Sequence, residues 1–198
     1  KRQDQIEVGV SSSWYPDGGK KEEIDRTVGS SPNLTSWYAN GQMKKKQEYV
    51  YQNKEQLFRE TEWYENGMVK LERSHKGNDS NPRDLLDTEW YENGQIKTMI
   101  VDYMDSYRKG KMIHWHENGQ MSHEATVKNG KTDGVWSEWY ENGQLRCQGF
   151  AVDNKPESKW TDWYENGQVK LETNYKDGKK DGSHTEWYEN GQKMFEGS

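Results

Sequence analysis

The sequence predicts an all-β protein, an elongated single antiparallel sheet of about eight repeated hairpins, and three observations predict it. The stretch Trp-Tyr-Glu-Asn-Gly stands at 63–67, 90–94, 139–143, 163–167 and 187–191, with looser copies at 14–18, 37–41 and 115–119. The tryptophans that open the copies are spaced 23, 26, 27, 25, 24, 24 and 24 residues apart. So regular a period marks one supersecondary unit stacked many times. Each copy runs from aromatic residues through Asn-Gly into alternating apolar and polar residues, which is a hairpin signature. Residues 1–198 therefore read as one array of eight copies, opened by Trp14, Trp37, Trp63, Trp90, Trp115, Trp139, Trp163 and Trp187.

Two registers compete within the copy from Thr161 to Tyr175. A two-residue loop at Asn166-Gly167 pairs Trp163 with Lys170 and splits the apolar side chains over both faces. A three-residue loop, Glu165-Asn166-Gly167, is a type I turn closed by Gly in the left-handed region, and it pairs Trp163 with Val169 and Thr161 with Leu171. The first copy decides. Pro16 stands where Glu165 does, and proline's fixed φ suits the first central position of a type I turn. In the expected register one face carries Trp163, Val169, Leu171 and Tyr175, and the other Tyr164, Asp162, Lys170 and Glu172. The return connections, Lys128 to Gly134 and Lys176 to Gly182, are glycine-punctuated polar turns.

Taken in order, the first copy lacks the apolar residue expected after Gly18 and reads as a polar cap. Residues 29–33 and 77–82 are loops, and 44–46 is a solvated lysine strand. From Trp136 onward the copies are most regular, and Trp136 and Trp160 are extra tryptophans three residues upstream of the repeated one. The hairpin at Phe195 leaves an open edge, a route to homo-oligomers.

Composition narrows the function classes. Only 29% of residues are hydrophobic and 31% are charged, yet ten Trp and twelve Tyr provide enough burial for a thin sheet. The net charge of −6 and the absence of a basic stripe argue against nucleic acid as a partner. No transmembrane segment is present in the sequence. The single cysteine, Cys147, excludes an intrachain disulfide framework. A chain that begins at Lys1 reads as a processed form or a fragment, and an exported or cell-envelope location is favoured over the cytoplasm.

The pattern Trp-Tyr-Glu-Asn-Gly-Gln-(Leu/Val/Ile)-Lys-x-Glu, followed by Tyr-Lys-Asp-Gly-Lys-x-Asp-Gly, resembles the bacterial variant of the MORN repeat. The resemblance covers nearly the whole chain and is fullest over Glu138 to Gln148 and Asp162 to Gly182; the first and fifth copies depart most. It implies an elongated antiparallel array used for binding rather than catalysis. Bacterial proteins of this kind are commonly labelled antitoxins of toxin–antitoxin pairs, and eukaryotic ones resemble scaffolds and membrane-proximal tethers.

The candidate residues divide by face. The Trp row is expected to carry the core. The Tyr row on the opposite face, with Trp136 and Trp160 beside it, is the candidate binding surface: Tyr64, Tyr91, Tyr140, Tyr164 and Tyr188. His114 and His116 are expected on that Tyr face and His123 on the other, so the three do not converge on a metal. The acids before each Trp (Glu62, Glu89, Glu138, Asp162, Glu186) lie opposite Lys70, Lys97, Arg146 and Lys170 as an ion-pair ladder, not as a catalytic pair. No catalytic residue, metal or cofactor is expected. The function predicted is a non-enzymatic protein-binding scaffold, antitoxin-like by resemblance. The alternatives are an exported module binding a glycan or lipid headgroup, and a subunit of an end-to-end assembly.

Overall fold

The computed structural model describes residues 8–26, 31–52, 55–77, 83–103 and 109–198. Every regular element among them is a β-strand, and the sixteen strands form an antiparallel sheet whose strand order is the chain order. The chain divides into two compact units, Lys1–Gly94 and Gln95–Ser198. The first holds β1 (Gly9–Trp14), β2 (Lys20–Arg26), β3 (Asn33–Trp37), β4 (Met43–Gln52), β5 (Glu55–Trp63), β6 (Val69–Lys76) and β7 (Arg83–Trp90). The second holds β8 (Ile96–Tyr103), β9 (Lys109–Trp115), β10 (Met121–Lys128), β11 (Lys131–Trp139), β12 (Leu145–Val152), β13 (Lys155–Trp163), β14 (Val169–Lys176), β15 (Lys179–Trp187) and β16 (Lys193–Gly197). The loop expected at 77–82 falls mostly outside the described residues, as do 29 and 30 of the loop at 29–33.

The three-residue loop is present. Gly167 has φ +83°, its N–H donates to the Tyr164 carbonyl at 2.9 Å, and the Tyr164 N–H donates to the Gln168 carbonyl at 2.8 Å. Trp163 lies opposite Val169. Beyond that pair the expected register fails: Leu171 lies opposite Asp162, not Thr161, because Lys170 is extruded as a β-bulge. A bulge sets two residues against one, so every later side chain on that strand changes face. Leu171 and Tyr175 consequently join Asp162 and Trp160, while Trp163 and Val169 share a face with Thr161 and Glu172. The same shift recurs beside Trp14, Trp37, Trp63, Trp115, Trp139 and Trp187. Extruded lysines fold back over the tyrosine rings, with Nζ 5.6 Å from the Tyr164 centroid for Lys170 and 5.6 Å from Tyr38 for Lys44.

The bulge also relocates the core. The buried apolar residues among those described are Phe58, Leu71, Ala125 and Ala151, all on the face of Trp160 and its counterparts. The Trp row expected to form the core is only half-buried, and Trp14 is 59% exposed. His123 is a further correction. It pairs directly with His114, ring centroids 5.5 Å apart, because the bulge at Ser122 turns it to the face where only His114 and His116 were expected.

The return turns at Asn129-Gly130, Asp153-Asn154 and Asp177-Gly178 are two-residue loops with both φ values positive, the type I′ geometry that suits strand twist.

Candidate functional site

The repeated motif works within the sheet. The Tyr15 hydroxyl donates to the Trp37 carbonyl, Tyr38 to Trp63, Tyr64 to Trp90, Tyr140 to Trp163 and Tyr164 to Trp187, at 2.7–2.8 Å. His116 replaces tyrosine without breaking the series: its Nε2 lies 3.0 Å from the Trp139 carbonyl, to which it donates. Burial pushes the Tyr38 and Tyr140 phenols above their ordinary pKa, with neighbouring carboxylates adding to the shift, so they stay protonated donors. Several motif asparagines have two tasks. Asn166 Oδ1 accepts the Gln168 N–H at 2.9 Å, and its Nδ2 donates to the Glu189 carbonyl of the next turn at 3.1 Å; Asn142 and Asn118 repeat this. Gln42, Gln95, Gln120, Gln144 and Gln168, each just after a motif glycine, pack on the glycine of the next copy. A Cβ on Gly191 would sit 2.8 Å from Gln168 Oε1, and one on Gly143 2.5 Å from Gln120 Oε1. Trp-Tyr-Glu-Asn-Gly-Gln is thus a stacking motif.

Of the candidate binding residues, Tyr64, Tyr140 and Tyr164 are half-buried with their hydroxyls engaged in this way, Tyr91 is half-buried, and Tyr188 is 51% exposed. Trp136 and Trp160 are brought together. They line a cleft of about 490 Å³ with Tyr175, Glu138, Cys147, Ala151, Pro156, Thr132 and Asn154. Its construction follows from the pairs Ala125–Trp136, Trp136–Gly149 and Trp160–Thr173, with the Trp160 ring laid over Gly149, so that each tryptophan lies between small neighbours. The Trp160 indole covers Gly149 so closely that a Cβ there would be 2.2 Å from the ring, and its Nε1 donates to the Phe150 carbonyl at 3.0 Å. Trp136 donates from Nε1 to Glu138 Oε1 at 3.2 Å and meets the His123 ring edge-on at 4.0 Å. Burial, with His114 nearby, lowers the His123 pKa and keeps the ring neutral. Burial and a bond to Asp162 push the Cys147 thiol well above its ordinary range, so it is not a nucleophile.

Tyr175 is the residue that sequence reasoning missed. Simple alternation put it beside Trp163, and the bulge carries it to the cleft.

In the first unit the same positions hold charge. Gln47, Glu60, Arg73 and Asp87 lie in one cross-strand row. Arg73 bonds Asp87 Oδ2 through Nε at 2.8 Å and Nη2 at 2.6 Å, and Lys45 meets Glu60 at 2.9 Å and Glu62 at 3.1 Å. Burial alone would lower the pKa of Lys45 and Arg73, but their carboxylate partners hold both above the ordinary values. The expected ion-pair ladder is seen at Arg146–Glu138, 3.0 Å, and more loosely at Lys70–Glu62, 3.8 Å.

Among the described residues no group of three or more His, Cys, Asp or Glu is placed to hold a metal ion, and no helix is long and apolar enough to cross a membrane. The profile of the family described as MORN repeat variant matches residues 33–51, 108–129, 132–153, 156–177 and 180–198, together more than half of the chain. Among curated proteins none matches the chain in sequence.

Proposed function

The chain belongs to the MORN repeat variant family, and from that premise we propose a non-enzymatic module that binds another protein on the Trp160 face of its second unit. Repeats of this family are generally protein- or membrane-binding modules of a non-catalytic type. The observation that carries the reading is a division of labour. The Trp-Tyr-Glu-Asn-Gly-Gln residues are spent on stacking one repeat on the next, whereas Trp136, Trp160 and Tyr175 lie outside that stretch and line a mostly apolar cleft. Aromatic anchors in a desolvated pocket are where binding energy concentrates. The rings of Tyr140 and Tyr164 belong to the same proposed surface, and Tyr64, Tyr91 and Tyr188 are their counterparts in other copies of one array over 1–198. In its finer form the role is antitoxin-like, with the bound partner a toxin held inactive.

A photo-crosslinking amino acid placed at 175, and separately at the exposed Val135 of the opposite face, tests the reading in the cell of origin. A discrete protein adduct from 175 and none from 135 is expected. Adducts from 135 alone, or equally from both, would move the binding surface elsewhere. Relief of growth arrest on co-expression with the trapped protein would support the antitoxin form, and a harmless partner would end it.

A further inference from the structure

We propose that the cleft between Trp136 and Trp160 receives an arginine or lysine side chain from a basic segment of the protein partner. The inference rests on the docking face proposed above and adds the chemistry of what enters it.

Three polar handles of the cleft are already in use. Trp136 Nε1 is held by Glu138, Trp160 Nε1 by the Phe150 carbonyl, and the Cys147 thiol by Asp162. Apart from the Tyr175 hydroxyl and the Asn154 and Thr132 side chains, the cleft offers a ligand ring face and hydrocarbon, from the two indoles, Tyr175, Pro156 and Ala151. A sugar would need several free donors and acceptors beside the stacking ring, and both indole donors are spent. A long side chain with an apolar stem and a cationic head suits both properties, since its stem packs on hydrocarbon and its head on the negative face of an aromatic ring.

The charge around the cleft has the matching sign. Among the residues that line it, the one with a formal charge at neutral pH is Glu138. Glu138 Oε2 also meets Arg146 at 3.0 Å, but the Arg146 side chain is 59% exposed and lies in the neighbouring hollow with Tyr140 and Lys170. A guanidinium therefore already rests on this carboxylate from one side, and the cleft approaches it from the other. Asp162, behind the Cys147 thiol, adds a second carboxylate at that hollow. His123, packed on Trp136, is kept neutral by burial and contributes no opposing charge. A chain of net charge −6 also draws a basic segment toward it at long range.

The test uses the whole chain labelled with ¹⁵N at its tryptophans. N-acetyl-arginine amide, N-acetyl-lysine amide and the uncharged N-acetyl-norleucine amide are titrated while the indole N–H signals are followed. The two cationic probes should shift the Trp136 and Trp160 signals saturably, with norleucine binding at least tenfold more weakly. Glu138→Gln should weaken the arginine probe severalfold and leave norleucine unchanged. Tyr175→Leu, which keeps the cleft apolar but removes a ring face, should do the same; unchanged chemical shifts of the remote tryptophans report that each variant is folded. Norleucine binding as tightly as arginine would overturn the proposal, as would the absence of a saturable shift at 50 mM probe. A shift produced only by phosphatidylcholine vesicles would overturn it in favour of a lipid headgroup. If the crosslink from 175 persists while arginine and norleucine bind alike, the docking face stands and the cationic anchor fails.

Discussion

The two units, each taken by itself, fill the same column of the repeat with opposite chemistry. Three residues before the repeated tryptophan, the first unit has Glu60 and Asp87, and the second has Trp136 and Trp160. In the first the neighbours answer with charge: Arg73 lies between Glu60 and Asp87, at 5% and 8% exposure. In the second they answer with absence of bulk: Gly149 lies between the tryptophans, and Ala125 and Thr173 flank them. One backbone thus supports an ionic lattice and an aromatic cleft. The turns set the backbone, and this column is left for the chemistry that distinguishes one copy from another.

The largest test of the contrast is Arg73→Met. It strands the buried Asp87 and takes one of two cations from Glu60, which keeps Lys45, so a loss of about 3 kcal/mol is expected, moderated by the partial exposure of Arg73. Chemical denaturation should show it, and a loss below about 1 kcal/mol would mean that water already screens the cluster. Next comes Gly149→Val, whose Cβ would collide with the Trp160 ring. Overpacking here should cost about 1–3 kcal/mol and expel the indole, read as a red shift of tryptophan fluorescence. An unshifted spectrum with full stability would show that Trp160 does not need the glycine.

Smaller, and deliberately equal in the two units, are Tyr64→Phe and Tyr164→Phe. Each leaves a tryptophan carbonyl without its hydroxyl donor and should cost about 1 kcal/mol. Unequal costs would show that the column beside the turn influences the stacking, and so weaken the separation of roles. Truncating Tyr140 and Tyr164 to alanine therefore does not separate binding from stability.

The smallest effect is acidic. Burial lowers the His123 pKa below its unfolded value, so between those two values the unfolded chain binds the extra proton. The stabilisation is complete above the unfolded pKa near 6.5 and is lost as pH falls through the folded value. Midpoints of denaturation at pH 7 and pH 5 should differ more for the native chain than for His123→Phe; equal differences would remove the histidine from the account.

Much of this was legible in the sequence because turn chemistry is local. Pro16 and the recurring Asn-Gly specify the loop, and the period of the tryptophans specifies the stacking. The bulge was not legible: Val169-Lys170-Leu171 reads as plain alternation, and only the pairing with Asp162 shows that Lys170 stands outside it. That single residue misplaced Tyr175 and Leu171, its counterpart Ser122 misplaced His123, and together such bulges made the Trp row look like the core. The tyrosine hydroxyls were hidden for another reason. Their acceptors are main-chain carbonyls a full repeat away, and a carbonyl has no letter in the sequence.

The asparagine that binds both its own turn and the next one has a consequence for how such arrays change over time. Asn166 ties Gln168 to Glu189, and Asn142 repeats the tie one copy earlier, so no residue can be added at that edge without breaking a link on each side. At the opposite edge, Asp153-Asn154 and Asp177-Gly178 make the return in two residues. Between the bounds of β6 (Val69–Lys76) and β7 (Arg83–Trp90) the sequence runs longer than these two-residue returns. Insertions and deletions, natural or grafted, should therefore collect on one margin of the sheet, where a foreign loop can be displayed at each repeat while the other margin keeps count.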